Sequence, residues 1–216
     1  MPKGILGRKV GMTQLVTSGG KIVPVTIVEA GPCYVTQKKT IATDGYNAIQ
    51  IGFGDKREHL MTKPVQGHLK KAGVKPLRYI RELRTKKVDD YELGQEIKVD
   101  IFTPGERVDV MGTSKGHGFS GVLKRHGFHR GPMSHGSKHH RKPGALAAKG
   151  VAKVFRGTKL PGHYGVDRVT AQNLEVIKVD KEHNVIAIKG SIPGPRGSMV
   201  FVKDAVKFPN KVAENK

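Results

Sequence analysis

Along the first fifty residues the apolar positions recur with period two. In KIVPVTIVEA (21–30) Val23, Val25 and Ile27 alternate with Pro24 and Thr26, and in NAIQIGFG (47–54) Ile49, Ile51 and Phe53 alternate with Gln50 and Gly52. Extended chain sends successive side chains to opposite faces, so both segments predict half-buried strands. Breaks at SGGK, EAGP and TDGY separate them as turns, with Asp44-Gly45 the clearest. From about Ile5 to Phe53 the expectation is a small antiparallel sheet.

The period then changes. KPVQGHLKKAGVKPLRYIRELR (63–84) predicts one or two short helices broken by Gly73 and Pro76, with Leu77, Ile80 and Leu83 on one face. EIKVDIF (96–102) and RVDVMG (107–112) return to alternation, with Ile97, Val99 and Ile101 on one side. LEVIKVD (174–180) and NVIAIKG (184–190) flank the turn residues KEHN as a hairpin, and MVFVKDAV (199–206) predicts a last strand. Six to eight short strands with one helical insertion at about 63–84 predict a mainly β chain that closes into a barrel.

Between these strand runs the periodicity stops. From 111 to 165 apolar residues are scattered, and the stretch holds eleven Lys and Arg, seven His and twelve Gly, with no acid between Asp109 and Asp167. No packed core can come from such a segment alone, and a loop of this length inside a domain is expected only where it has a function. Doubled back on itself at roughly 3.3 Å per residue, it would reach on the order of 90 Å if fully extended. The expected organisation is a β-barrel domain of 1–110 and 166–216, carrying a long, basic, largely irregular extension at 111–165.

Charge extends this picture to the whole chain. Thirty-nine Lys and Arg against eighteen Asp and Glu leave a formal +21 and a pI near 10.2, with a hydrophobic fraction of 37% that is low for 216 residues. Self-repulsion on this scale points to a polyanionic partner, most simply nucleic acid. Cys33 is the single cysteine, which excludes an intramolecular disulfide and a thiolate-rich zinc knuckle and agrees with a reducing compartment. Its simplest role is that of a small buried apolar residue. MPKGILGRKVGMTQLV lacks the apolar stretch and cleavage site of a signal peptide, and no window approaches a membrane span, so the expected location is cytoplasmic.

Three chemistries compete for the segment. Gly116-His117-Gly118-Phe119-Ser120-Gly121 matches G-x-G-x-x-G, but VLKRHGFHRGP is too short for a crossover helix and no acid follows before Asp167 to hold a ribose. His135, His139 and His140, with His126 or His129, suggest a zinc site. Gly136, Pro132 and Pro143 argue against a helix that would align them, no carboxylate or thiolate is near, and Arg130, Lys138, Arg141 and Lys142 would repel the cation. Ser134 or Ser137 beside a histidine supplies a nucleophile and a base, but no acid to orient the base. RNA binding accounts for all the residue types together: Arg forks onto phosphate, Lys supplies point charge, Ser and backbone N–H groups bond phosphate and 2′-OH, and His stacks or carries partial charge. Phe119, Phe128 and Phe155 read either as residues inserted between bases or as anchors of the loop's base.

GILGRKVGMTQ, DGYNAIQIGFG, VDVMGTSKGHGFSGVLKRHGF, GPMSHGSKHHRKPG, KVFRGTKLPGHYG, VTAQNLEVIKVD and KGSIPGPRGS occur in this order. Together they closely resemble the bacterial form of the family of protein three of the large ribosomal subunit, over about 3–207. The resemblance implies a translation-protein-type β-barrel seated on large-subunit RNA, near its 3′ end, that binds early in assembly. It also implies an extension threading toward the peptidyl transferase centre, supporting catalysis by RNA without performing it. The partners it implies are large-subunit ribosomal RNA and neighbouring large-subunit ribosomal proteins, with no cofactor, metal or small-molecule substrate.

Carried over by position, the RNA-facing residues on the descending part are Lys115, His117, Lys124, Arg125, His126, His129, Arg130, Ser134, His135, Ser137, Lys138, His139, His140, Arg141 and Lys142. On the returning part they are Lys153, Arg156 and Lys159, and on a basic N-terminal strand Arg8 and Lys9. At the tip, GALAAKG (144–150) stands where relatives commonly carry a Gly-Ser-apolar-Gly sequence and in some a methylated glutamine; 111–165 contains no glutamine, so that modification is not expected. A free-standing RNA chaperone or nucleoid-type protein is the alternative within the binding class, and a histidine-rich metalloenzyme the alternative outside it.

Overall fold

The computed structural model describes residues 3–17, 19–85, 87–150 and 152–207. Ser18 of the SGGK turn and the ends of the expected barrel domain, 1–2 and 208–216, lie outside the described residues. In chain order the elements are β1 (Gly4–Val16), β2 (Ile22–Ala30), β3 (Cys33–Lys39), α1 (Ile41–Asp44), β4 (Ala48–Asp55), α2 (Lys63–Lys71), β5 (Leu77–Arg84), β6 (Glu96–Ile97) and β7 (Arg107–Thr113). They continue with β8 (Gly118–Ser120), α3 (Val122–His126), β9 (Gly162–Tyr164), β10 (Arg168–Asp180), β11 (Val185–Lys189) and β12 (Met199–Asp204). The chain divides into two compact units, one taking Met1–Thr113 with Arg168–Lys216 and the other Ser114–Asp167.

In the first unit six strands close a barrel in the order β1-β12-β7-β10-β11-β2, every neighbouring pair antiparallel. A barrel of so few strands has room only for side chains, and Ile5, Leu6, Val28, Val108, Val110, Val176, Ile186, Ile188, Val200 and Val202 are wholly buried in its core cluster. Closure needs strand bending, supplied by register shifts at Lys9/Gly11, Ala171/Leu174 and Val176/Lys178. The second of these is held from the neighbouring strand β7: buried Asp109 accepts the Asn173 amide at 2.9 Å and, through its other oxygen, the Val206 amide at 3.2 Å. Gly7 sits where β1 and β2 approach so closely that a Cβ would collide with the Glu29 carbonyl and Val28.

A four-stranded antiparallel sheet, ordered β5-β4-β3-β6, adds Cys33, Val35, Ile49, Ile51 and Phe53 to the same core. The Cys33 thiol donates to the Leu6 carbonyl at 3.4 Å, and burial pushes its pKa up to about 12, which keeps it protonated and inert. Met61, Leu69 and Leu77 form a smaller cluster under α2.

The structure agrees with the predicted strands at 23–27, 49–53, 107–112, 174–190 and 199 onward, and departs from the sequence reading in three places. The expected helical insertion at 63–84 is helical only over Lys63–Lys71; Leu77–Arg84 is β5, paired along its length with β4. Leu77, Ile80 and Leu83 are three apart and mimic a helical stripe, but on this edge strand Leu77 is buried in the small cluster with Ile80 packed against it, Leu83 is buried in the main core, and exposed arginines mask the alternation. Within EIKVDIF only Glu96–Ile97 is strand, and Val99–Ile101 forms a 3₁₀ turn, so Ile97, Val99 and Ile101 do not share a strand face. At TDGY, Thr43 and Asp44 end a short helix, α1, which is stopped by Gly45 in the left-handed conformation as its C-cap.

Candidate nucleic-acid interface

The second unit has little with which to build a core. Of its described residues only Ser120, Val122 and Gly165 are buried. Backbone hydrogen bonds shape it instead. The Ser114 amide donates to the Asp167 carbonyl at 2.8 Å, the Asp167 amide returns to Ser114 Oγ at 3.1 Å, and the His117 amide donates to the Tyr164 carbonyl at 2.9 Å. Above this, β8 and β9 form an antiparallel ribbon in the register Gly118↔Tyr164, Phe119↔His163 and Ser120↔Gly162. The His117 ring stacks on Tyr164 with centroids 4.9 Å apart.

α3 begins at Gly121 without a side-chain cap and ends at Gly127, whose left-handed conformation lets its amide reach the Leu123 carbonyl. It points two candidate residues across the segment: Arg125 Nη1 donates to the Leu160 carbonyl at 2.8 Å, and His126 Nε2 lies 3.0 Å from the same oxygen. A carbonyl can only accept, so that nitrogen carries the proton. Arg125 and His126 therefore tie the outgoing stretch to the returning one.

Further along, the Gly131 amide donates to the His140 carbonyl at 3.0 Å and His140 Nδ1 donates to the Pro132 carbonyl at 3.0 Å. A Cβ at Gly131 would overlap the His139 carbonyl, so this crossing requires glycine. The loop it closes turns through His135 and Gly136, both with positive φ, and is fastened by the Ser137 amide on the Ser134 carbonyl and the His139 amide on Ser137 Oγ. Of the five histidines weighed as metal ligands, His126 and His140 thus spend a ring nitrogen on a backbone carbonyl. Among the described residues no group of three or more His, Cys, Asp or Glu is placed to hold a metal ion.

The twenty predicted RNA-facing residues sort by exposure. Lys115, His117, Lys124, His129, Arg130, Ser134, His135, Lys138, His139, Arg141, Lys142, Lys153, Arg156 and Lys159 are exposed, and Arg125, His126, Ser137 and His140 half-buried in the contacts just described. In the first unit Arg8 is exposed and forks onto one Glu29 oxygen through Nε at 3.1 Å and Nη2 at 2.7 Å. Its neighbour Lys9 corrects the sequence reading. It is 7% exposed, with Nζ donating to the carbonyls of Ile192 at 2.8 Å and Gly194 at 2.9 Å, so its charge organises the 192–194 loop and does not face outward.

Phe119 is 81% and Phe155 64% exposed, so of the two readings for these rings the anchoring one is not realised. Their only sequence signal is an aromatic ring in an acid-free basic run.

A profile of the Ribosomal protein L3 family matches residues 86–184. The chain is 66% identical over 207 residues to "Large ribosomal subunit protein uL3" of Carboxydothermus hydrogenoformans, covering 96% of this chain and 99% of that protein. It is 62% identical to the protein of the same name from Pelotomaculum thermopropionicum and 57% to that from Bacillus thuringiensis, each over 96% of this chain and 99% of the relative. Identity of this order along nearly the full length of each relative shows that the chain belongs to the uL3 family of large ribosomal subunit proteins.

Proposed function

We propose that this protein is a structural constituent of the large ribosomal subunit in the cytoplasm, and that it binds large-subunit rRNA directly. In this reading residues 111–165 form an RNA-penetrating extension that runs toward the peptidyl transferase centre, entering early in assembly. The protein places RNA and does no chemistry of its own, and neighbouring large-subunit proteins complete its surroundings. The observation that carries the reading is the surface of the second unit: its Lys and Arg side chains are exposed, apart from half-buried Arg125, with no acid between Asp109 and Asp167 to neutralise them. Such a surface is stabilised by phosphates that replace its counterions. Lys9 is left out of the contact set, because its ammonium is already bound within the fold.

The test is a salt series. Replacing Lys138, Arg141 and Lys142 by Ala weakens binding to transcribed large-subunit rRNA and flattens the plot of log K against log salt, by roughly 0.7–0.9 of a unit for each lost phosphate contact. An unchanged slope would mean that these side chains do not touch phosphate. Sedimentation of cell extract separates the ribosomal reading from a free-standing RNA chaperone: the ribosomal protein co-migrates stoichiometrically with large subunits in moderately high salt.

A further inference from the structure

We propose that Phe119 and His163 together form a stacking platform for one unpaired RNA base. This inference rests on the RNA-binding reading above and assigns a specific contact within it. Phe119 and His163 are direct cross-strand partners of the β8–β9 ribbon, so their side chains leave the same face. Both are exposed, Phe119 at 81%. A phenyl ring at that exposure contributes nothing to a core, and among the described residues the second unit offers no apolar cluster in which it is shared.

The surroundings favour a base as its occupant. The flanking positions leave the ring accessible: a Cβ on Gly118 or Gly121 would meet nothing within 4 Å. Beside it, the His117–Tyr164 stack and the His117 amide on the Tyr164 carbonyl hold the ribbon together, so the platform is set before a ligand arrives. Charge selects the partner class. Lys115 and Lys124 bracket Phe119 in sequence and the run contains no acid, which suits a ring with phosphates attached better than an apolar protein surface. A base has a π-face for Phe119 and an edge that the His163 imidazole can stack on or bond.

The experiment uses the full chain and transcribed large-subunit rRNA, with Phe119→Leu, Phe119→Tyr and His163→Ala measured across a salt series beside the Lys138/Arg141/Lys142 triple variant. Phe119→Leu is expected to weaken binding roughly five- to hundredfold, the range for one stacked base, while leaving the salt slope unchanged because no counterion is involved. Phe119→Tyr keeps the π-face and binds as the parent does, and His163→Ala loses less than Phe119→Leu. Since Phe119 is exposed, thermal melting of these variants stays at the parent value. Parent-like binding by Phe119→Leu, with the triple variant still flattening the slope, overturns the platform and leaves the RNA-binding reading standing. Absence of salt-dependent rRNA binding by the parent protein overturns both. Normal rRNA affinity with reduced retention of Phe119→Leu in assembled subunits would make the ring a protein contact and also overturn the proposal.

Discussion

Outside residues 111–165, twenty-eight Lys and Arg stand with all eighteen acids of the chain; inside that segment eleven stand with none. The barrel unit uses its acids locally. Lys3 meets Glu106 at 2.7 Å, Lys75 meets Asp55 at 3.0 Å, Lys39 meets Glu82 at 3.1 Å and Lys189 meets Glu175 at 3.1 Å. Bonds from Tyr46 and Glu82 hold the Lys39 ammonium above its usual lysine range. Surface pairs of this kind stabilise little, but they remove repulsion from a unit whose fold rests on a dry core. Among its described residues the second unit has almost no core, its one acid is Asp167 at its end, and hydrogen bonds between its outgoing and returning stretches give it a shape. One chain thus contains a part whose acids offset eighteen of its twenty-eight basic residues and a part, 111–165, with no acid to offset any of its eleven.

The sharpest way to break that contrast is amide exchange on the RNA-free protein. Core amides of β7, β10 and β11 should exchange only through global opening, on the order of 5–15 kcal/mol for a domain, whereas amides of 131–161 should exchange with almost no protection and gain it on adding rRNA. Rigid protection of 131–161 without RNA would contradict the comparison.

Next in size is Phe102→Ala. Phe102 is among the largest fully buried side chains, so the variant should lose about 3–5 kcal/mol in urea unfolding. The exposed Phe119→Leu should lose nothing measurable in the same experiment, which separates a ring used for folding from one offered outward.

Arg8 and Lys9 make the comparison within two residues. Lys9→Ala strips a charged donor from the Ile192 and Gly194 carbonyls and should cost about 1–3 kcal/mol of stability. Arg8→Ala breaks an exposed pair and should cost less than about 1 kcal/mol. Equal losses would mean that Lys9 is not held as described.

The smallest effect concerns acid. Burial alone would raise the Glu106 pKa, but the Lys3 ammonium and the Thr103 amide outweigh it and leave the carboxyl below its ordinary value. The native state therefore binds fewer protons than the unfolded chain as pH falls through the carboxylate range. Its stabilisation is present above the unfolded value of about 4.3 and is lost as pH drops through the lower folded value. Urea midpoints of Glu106→Gln taken from pH 6 downward should fall less steeply than the parent's; parallel curves would sink the assignment.

Particular elements show what was legible. β7, the β10–β11 hairpin and β12 announce themselves because each is a short run dense in β-branched and other apolar residues, although β7, β11 and β12 bury consecutive residues on both faces. β5 does not, since an edge strand that packs Leu83 into the main core and Leu77 into the cluster under α2 sets leucines at 77 and 83 and arginines at 78, 81 and 84 in a spacing that also fits a helix. The phase change in β2, where Val25 gives way to Val28 and Ala30 as the buried positions, is likewise invisible to an alternation read from Val23 to Ile27. Phe119 is visible in the sequence as an aromatic in a basic run, but only the register that sets it opposite His163 gives it a partner.

What the sequence determined by itself is therefore local in origin or additive: the β character, the acid-free run, the net charge and, through the motifs, the family. Periodicity and charge sums need no knowledge of distant residues. Tertiary structure alone decided which basic residues are available, because availability depends on contacts far along the chain. Lys9 is withdrawn by carbonyls 183 and 185 residues away, and Arg125 is spent on one 35 residues away, while Lys138, Arg141 and Lys142 are exposed.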